Sequence, residues 1–446
     1  MTAVALCVLA FAVTLWAGKR SLGFGIAALL VFGYFYGIIR ANIPATFSHF
    51  LFDSSLLGLY LSQKWSAPVN SEALRSLKVW ISILFLWPCL LVLMPTQPLL
   101  VSLVGLRGSV FFLPMAWLGA KLRNHDLKVI AFGFAVLNLA ALGFAAAEYF
   151  RGVPTFYPMN PVTVMIYASS DVAGGFYRIP ATFANAHNFG GTMVASIPYL
   201  LGAWEQSQKR ILRILFVLGT GAALLGVLMS ATRLNFVIGS ALVLLGLWRG
   251  RMRTSRRALF AVVIIGMALV ALRNERFQRF KSLSDTDAVQ DRISGSVNRA
   301  FFEILLDYPM GNGLGGGGTS IPYFLQGQVR NPIATEDEYL RILCEQGLIG
   351  LLLWIGFILW VLFQYRVAFA PGLWSSARRM IWILSVITLL TAFIGDGMLT
   401  AVPSAALLLL GIGFSSSPKM KEDAVRRVSL RPVVTAHPYP RTAPGV

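Results

Sequence analysis

Apolar runs separated by short polar and basic stretches recur along almost the whole chain. Thirteen are long enough, or nearly so, to cross a hydrocarbon core of about 30 Å: 2–17, 22–39, 47–61, 79–94, 109–120, 129–147, 189–204, 214–229, 234–248, 258–272, 348–365, 380–394 and 399–414. The fifth run could start nearer Leu99, the third carries Asp53, and twelve spans is the alternative count. Backbone groups in lipid must be satisfied internally, so these runs predict helices. No alternation of the outer-membrane strand type is present. The first twenty residues, MTAVALCVLAFAVTLWAGKR, lack a basic leading region and a small-residue cleavage site, and read as a retained first span.

Composition agrees with this pattern. Of the 446 residues 56% are hydrophobic and 13% charged, whereas soluble domains carry about 25% charged residues. A soluble enzyme, a disordered chain and a disulfide scaffold are excluded; an all-α polytopic membrane protein remains. Cys7 and Cys89 lie in apolar runs, and with Cys344 they make no disulfide framework. The net charge of +19 would suggest nucleic acid for a soluble protein. Here the basic residues fall between apolar runs, as expected of cytoplasmic loops, and no nucleic-acid partner is implied. Scored over alternate loops, 25 Lys and Arg fall on one side and 13 on the other. The richer side should be cytoplasmic and holds the C-terminus; with thirteen spans the N-terminus is outside.

Two outer loops are long, 148–188 and 273–346, and long loops are usually functional or disordered. The second contains amphipathic pieces, RAFFEILLDYP and EYLRILCEQ, that could form helices on the membrane face. The tail, 415–446, is Pro-rich and basic and reads as a disordered cytoplasmic extension.

The outer basic set is twelve arginines and a single lysine, Lys281. Guanidinium forks match phosphate oxygens in pairs, so this bias suggests binding of a phosphate or pyrophosphate at the bilayer surface. In the long loops, pairing with carboxylates such as Glu148 or Asp171 is the competing explanation. Arg233, in the short turn SATRLNF, has no such carboxylate close in sequence, and Arg178 lies just before the start of a span. MGNGLGGGGTS, 310–320, could wrap a phosphate with its N–H groups or could be a flexible loop tip. In TEDEYLRILCEQ, Glu336, Asp337 and Glu338 lead a helix; they could complement its dipole, or one could act as a general base. His187 could be a base or a polar lining residue. Asp53, Asp396 and Arg40 place charge at span ends, where it is functional by default. No HExxH, paired CxxC or GxSxG motif is present, so metalloprotease, zinc-site and hydrolase readings lack support.

These pieces, in this order, resemble the O-antigen ligase/polymerase family of bacterial polysaccharide enzymes. The resemblance rests on Arg178 followed by ATFANAHNFG, the Ser230–Arg233 turn, YPMGNGLG in the second long loop, and EYLRILCEQGLIGLLLW after it. QPLLVSLVGLRGSVFFLP looks like the family's early outer loop, and the likeness runs from 97 to 413. It implies a glycosyltransferase-C-like architecture: N-terminal helices over 1–95, and a ligase/polymerase domain over 96–414 that includes both long loops. It also implies a membrane glycosyltransferase in the bacterial inner membrane, active on the periplasmic face. Its donor would be a glycan on undecaprenyl pyrophosphate, and its acceptor a second lipid-linked glycan or lipid A–core. Carried over by position, Arg178 and Arg233 would hold the pyrophosphate, and Arg107, His187, Asn188, Arg299 and Arg330 would line the substrate site. Ligase members typically place a His-Asn pair where this chain has Glu336-Asp337. That departure favours a carboxylate base and a polymerase over a ligase.

A glycosyl pyrophosphate is already activated. The protein must orient a hydroxyl, take its proton and stabilise the leaving anion, which arginines in a water-poor cleft can do with no cofactor or metal. Single-step attack would invert the anomeric centre. The rival reading is a transporter or flippase for a lipid-linked sugar, which expects internal repeats and midplane charge; the chain shows no repeat and thin intramembrane charge.

Overall fold

The computed structural model describes residues 1–63, 72–168, 171–172, 176–249, 266, 301–318, 321–333, 335, 337–395 and 397–417. The expected span 258–272 apart from residue 266, Arg299, Glu336, Asp396 and nearly all of the tail lie outside the described residues. The other twelve apolar runs each fall on helix. α1 (Thr2–Arg20) leads into α2 (Leu22–Tyr34) and α3 (Tyr36–Asn42), then a short 3-10 turn, Thr46–Phe50, and α4 (Leu51–Ser62). α5 (Glu72–Leu91), α6 (Leu99–Val110), α7 (Pro114–Gly119), α8 (Asn124–Arg151) and the short α9 (Val164–Ala168) follow. A small antiparallel hairpin pairs β1 (Asp171–Val172) with β2 (Phe176–Tyr177). It precedes α10 (Ala186–Gln206), α11 (Arg210–Met229) and α12 (Arg233–Arg249). The last helices are α13 (Phe301–Asp307), α14 (Glu338–Phe363), α15 (Tyr365–Ala368), α16 (Ser375–Thr391) and α17 (Ser404–Ser415).

The span count differs from the sequence expectation. Among the described residues six helical stretches are long and apolar enough to cross a membrane: Thr2–Arg20, Leu74–Leu91, Leu99–Gly119, Asn124–Arg151, Arg210–Met229 and Glu338–Ala368. The pair α2 and α3, bent by 43°, makes a seventh. Among the described residues the remaining apolar runs fall on helices that are shorter or less apolar than these. A helix rises 1.5 Å per residue, so α4 and α17, at 12 residues each, reach only about 18 Å. The fifth run belongs to a helical stretch starting at Leu99, the earlier of the two starts read from the sequence.

Polar side chains join the apolar helices where water cannot compete. Thr14 Oγ1 of α1 donates to the Ser55 carbonyl of α4 at 2.7 Å. Tyr34 Oη of α2 donates to Asn138 Oδ1 of α8 at 2.7 Å, and Asn138 Nδ2 donates to Ser196 Oγ of α10 at 2.8 Å. This buried chain aligns α2, α8 and α10, whose adjoining ends carry the residues singled out from the sequence. At that end the segment 180–185 docks on α3: the Ile38 N–H donates to the Thr182 carbonyl at 3.1 Å, and Tyr157 Oη donates to the Phe183 carbonyl at 2.8 Å.

Candidate active site at the start of α10 and α12

Asn185 gives α10 its start. Its Oδ1 accepts from the Asn188 N–H at 2.8 Å, the usual N-cap bond. The cap fixes His187 in the first helical turn and Asn188 beside it. Arg178, from the strand side of the same loop, donates from Nη1 to His187 Nε2 at 2.6 Å. Arginine has no acceptor, so Nε2 must be the unprotonated nitrogen and His187 is neutral in this pair. The imidazole lone pair is thus engaged by the guanidinium, which fits an orienting role better than that of a free base. Arg178 Nε is buried and makes no hydrogen bond.

The loop between these two residues is held under strain. Ala181 has φ 53°, left-handed backbone that L side chains seldom adopt, at a cost on the order of 1 kcal/mol. Its N–H donates to Glu148 Oε2 at 2.9 Å, while the other oxygen, Oε1, is buried without a partner. Glu148, 1% exposed, therefore ties the last turn of α8 to the backbone of the Arg178 loop. The sequence offered Glu148 as a possible arginine partner; the structure gives it a backbone amide instead.

Arg233 opens α12, directly after a tight turn. Ser230 Oγ and Thr232 Oγ1 lie 2.7 Å apart, and Asn235 Nδ2 donates to Thr232 Oγ1 at 3.2 Å. Ala231 is left-handed too, with φ 50°. This turn packs on α10 one turn beyond His187. A Cβ at Gly190 would lie 2.4 Å from Thr232 Oγ1 and 2.7 Å from Ser230 Oγ, so only glycine allows the approach. The two loops that the sequence singled out separately are thus in contact through α10.

The acidic start of α14 divides into two environments. Asp337 is its N-cap, with Oδ1 accepting from the Leu340 N–H at 2.6 Å. Burial raises its pKa to about 6; the bonds from the Leu340 and Tyr339 amides oppose the rise and the neighbouring Glu338 adds to it. Glu338 is 0% exposed and wholly engaged. Its Oε1 pairs with Arg341, and its Oε2 accepts from the Gly397 N–H at 2.9 Å. Arg341 Nη1 also donates to Glu345 Oε2 at 2.8 Å, and both these side chains are likewise 0% exposed. Glu338 belongs to a sealed ion triad, and Asp337 is the carboxyl with a shifted proton affinity.

The glycine-rich segment is neither a loose tip nor an open phosphate cradle. Residues 312–317 are buried. The Asn312 N–H donates to the Cys344 carbonyl at 2.7 Å, and the N–H groups of Gly311, Gly316 and Gly318 donate to the carbonyls of Tyr308, Gly313 and Gly315. It wedges between α6 and a break in α14 at Gly347, where φ is 69°. There a Cβ would lie 2.5 Å from the Met310 carbonyl carbon. A Cβ at Gly317 would meet Arg341 Cγ at 2.9 Å and Glu345 Oε1 at 3.1 Å, so the loop roofs the ion triad.

Two further arginines expected at the substrate site have partners of their own. Arg107 donates from Nε and Nη2 to the two oxygens of Asp53, both at 2.7 Å, a bidentate pair that sequence distance concealed. Arg330 is exposed, and its N–H and carbonyl are both held by the Gln97 side chain, at 2.9 and 2.8 Å.

No curated protein matches the chain. Residues 218–355 match a family model described as O-antigen ligase. The matched stretch contains the Ser230–Arg233 turn, the glycine-rich wedge, Asp337 and the ion triad. This match supports membership of the chain in the O-antigen ligase/polymerase family, and the mainly helical chain has several helices long and apolar enough to span a membrane.

Proposed function

We propose that the chain is an inverting glycosyltransferase that extends a glycan carried on undecaprenyl pyrophosphate, a polymerase rather than a ligase. The observation that carries this reading is the packing of the Arg233 turn against the helix start that holds His187 and, through it, Arg178. Two guanidiniums at one end of a helical bundle can grip both phosphates of a leaving diphosphate and stabilise its charge as the glycosidic bond breaks. Arg178 reaches the site already oriented by His187, and its buried Nε retains an unspent donor. Asn188 lies beside them to meet sugar hydroxyls.

Asp337 is the proposed base. Its raised pKa keeps it deprotonated at neutral pH yet more basic than an ordinary carboxylate, which suits proton removal from an acceptor hydroxyl. The hydroxyl oxygen forms the new bond to the anomeric carbon, its proton goes to Asp337, and the bond to the diphosphate oxygen breaks with its electron pair. A carboxylate at this position, in place of the ligase-type His-Asn pair, is what favours chain growth over transfer to lipid A–core. Arg299, Arg330 and Glu336 belong to the wider proposed substrate site. The distribution of Lys and Arg supports a periplasmic active face and a cytoplasmic C-terminus. The test is purified chain in lipid with an undecaprenyl-pyrophosphate-linked oligosaccharide and no nucleotide. Longer lipid-linked glycan is expected. Movement of unaltered substrate across the bilayer without growth would instead support a flippase.

A further inference from the structure

A second group of cations gathers near α3, whose backbone also anchors the Arg178 loop at Ile38. Arg40, in the last turn of α3, places Nη2 3.5 Å from His49 Nε2 and its guanidinium 4.9 Å from the Tyr36 ring centre. His49, from the 3-10 turn that follows, is held by Tyr36 Oη donating to its carbonyl at 3.0 Å. The His49 ring packs on that of Tyr323, 5.8 Å between centres. Arg107 and Asp53 form the adjoining bidentate pair.

The charges do not balance. Asp53 answers Arg107, but among the described residues no carboxylate pairs with Arg40, and Arg40 Nε is buried without a hydrogen-bond partner. His49 cannot compensate: facing a donor that cannot accept, its Nε2 must be unprotonated, so the ring is neutral. Burial and the two nearby arginines hold its pKa down to about 3, in keeping with that. The group therefore carries one net positive charge and an unspent donor in a half-buried place, where an unpaired charge is costly. Phe47 and Phe50, beside His49 in the same turn, are large exposed apolar rings.

We propose that Arg40, His49 and Arg107 form a second anion site, distinct from the Arg178–Arg233 site, that takes a singly charged phosphate group at the membrane surface. One net positive charge matches one phosphodiester. Arg40 supplies the fork, Arg107 is held in place by Asp53, and the Tyr323 ring covers one side. The same chemistry could be met by a lipid headgroup or by free phosphate. This inference does not rest on the transferase reading, since none of its residues belongs to the proposed reaction centre at Arg178, Arg233 and Asp337.

The test is native mass spectrometry of the full chain released from detergent, titrated separately with phosphatidylglycerol, phosphatidylcholine and inorganic phosphate. A retained phosphatidylglycerol, with phosphatidylcholine held less, is expected for the headgroup source; phosphate bound without lipid retention marks the free anion. In either case Arg40→Gln should weaken binding at least about tenfold, the loss of about 1.4 kcal/mol. Arg40→Lys, which keeps the charge and so protects the fold, should weaken it less. Arg178→Ala should leave it unchanged. Equal retention of both lipids, retention insensitive to both Arg40 substitutions, loss on Arg178→Ala instead, or no binding of any probe would overturn the proposal. Loss of transferase activity in Arg178→Ala with this binding intact separates the two sites.

Discussion

Arg178 and Arg341 are both arginines of the outer basic set, and the fold treats them in opposite ways. Arg341 is sealed between Glu338 and Glu345 with no exposed surface, roofed by glycine backbone and bonded on two sides. Arg178 is half-buried, held through a neutral imidazole, and keeps Nε without a partner, in a loop that carries a left-handed alanine. One arrangement spends its guanidinium on holding helices and loops together. The other leaves donor capacity where a ligand could use it. Residue type and motif membership do not distinguish them; the company each keeps does.

Breaking the first region should have the largest effect. Arg341→Met leaves two buried carboxylates without their cation, and a loss of about 3–5 kcal/mol is expected for such a broken buried pair. It should be read as loss of folded protein in a thermal-unfolding or detergent-solubility assay. Arg178→Ala should leave that assay unchanged and lower transfer by about 100-fold or more, the scale of a lost transition-state donor. A stable, inactive Arg341→Met would erase the distinction.

The two neighbouring carboxylates sharpen the same contrast. Asp337→Asn should lower turnover by about 100-fold or more, as removal of a general base does, while Glu338→Gln should act mainly on stability by disturbing the Arg341 pair. Equal activity in both variants would make the start of α14 a helix cap alone. The pH profile follows from the same group. With its folded pKa raised to about 6, Asp337 is protonated below that pH and cannot accept a proton. Activity should therefore fall as pH drops through about 6, and Asp337→Asn should lose that acid limb from whatever activity remains.

The smallest effect concerns the loop clamp. Glu148→Gln keeps an oxygen for the Ala181 N–H and should retain activity, while Glu148→Ala should reduce transfer several-fold by freeing the Arg178 loop. The loss of one ordinary hydrogen bond, about 0.5–1.5 kcal/mol, bounds the effect. Identical kinetics for the two variants would show that the clamp is dispensable.

Much of this was legible in the sequence, because lipid imposes a strong pattern. Twelve apolar runs fall on described helices; the Arg233 turn was singled out by its isolation from carboxylates and Arg178 by its place before a span. Helix length was less legible: α4 and α17, read as spans, form about three turns each. Pairing across distance was not legible. The Arg107–Asp53 fork joins residues 54 apart, and Glu148 meets a backbone amide 33 residues away, which no local spacing encodes. The glycine run was misleading for a related reason. Glycine permits both loose loops and the closest packing, and only the partners Thr96, Arg341 and Glu345 show which one applies.

The central claim is that Arg178 and Arg233 act together on one leaving group. It is tested most directly by a double-mutant cycle on glycan extension, with Arg178→Ala, Arg233→Ala and the pair measured at saturating lipid-linked donor. If they grip one diphosphate, the double variant should be far less impaired than the product of the two single losses. Multiplicative losses, or either single variant extending glycan at the wild-type rate, would contradict a shared site.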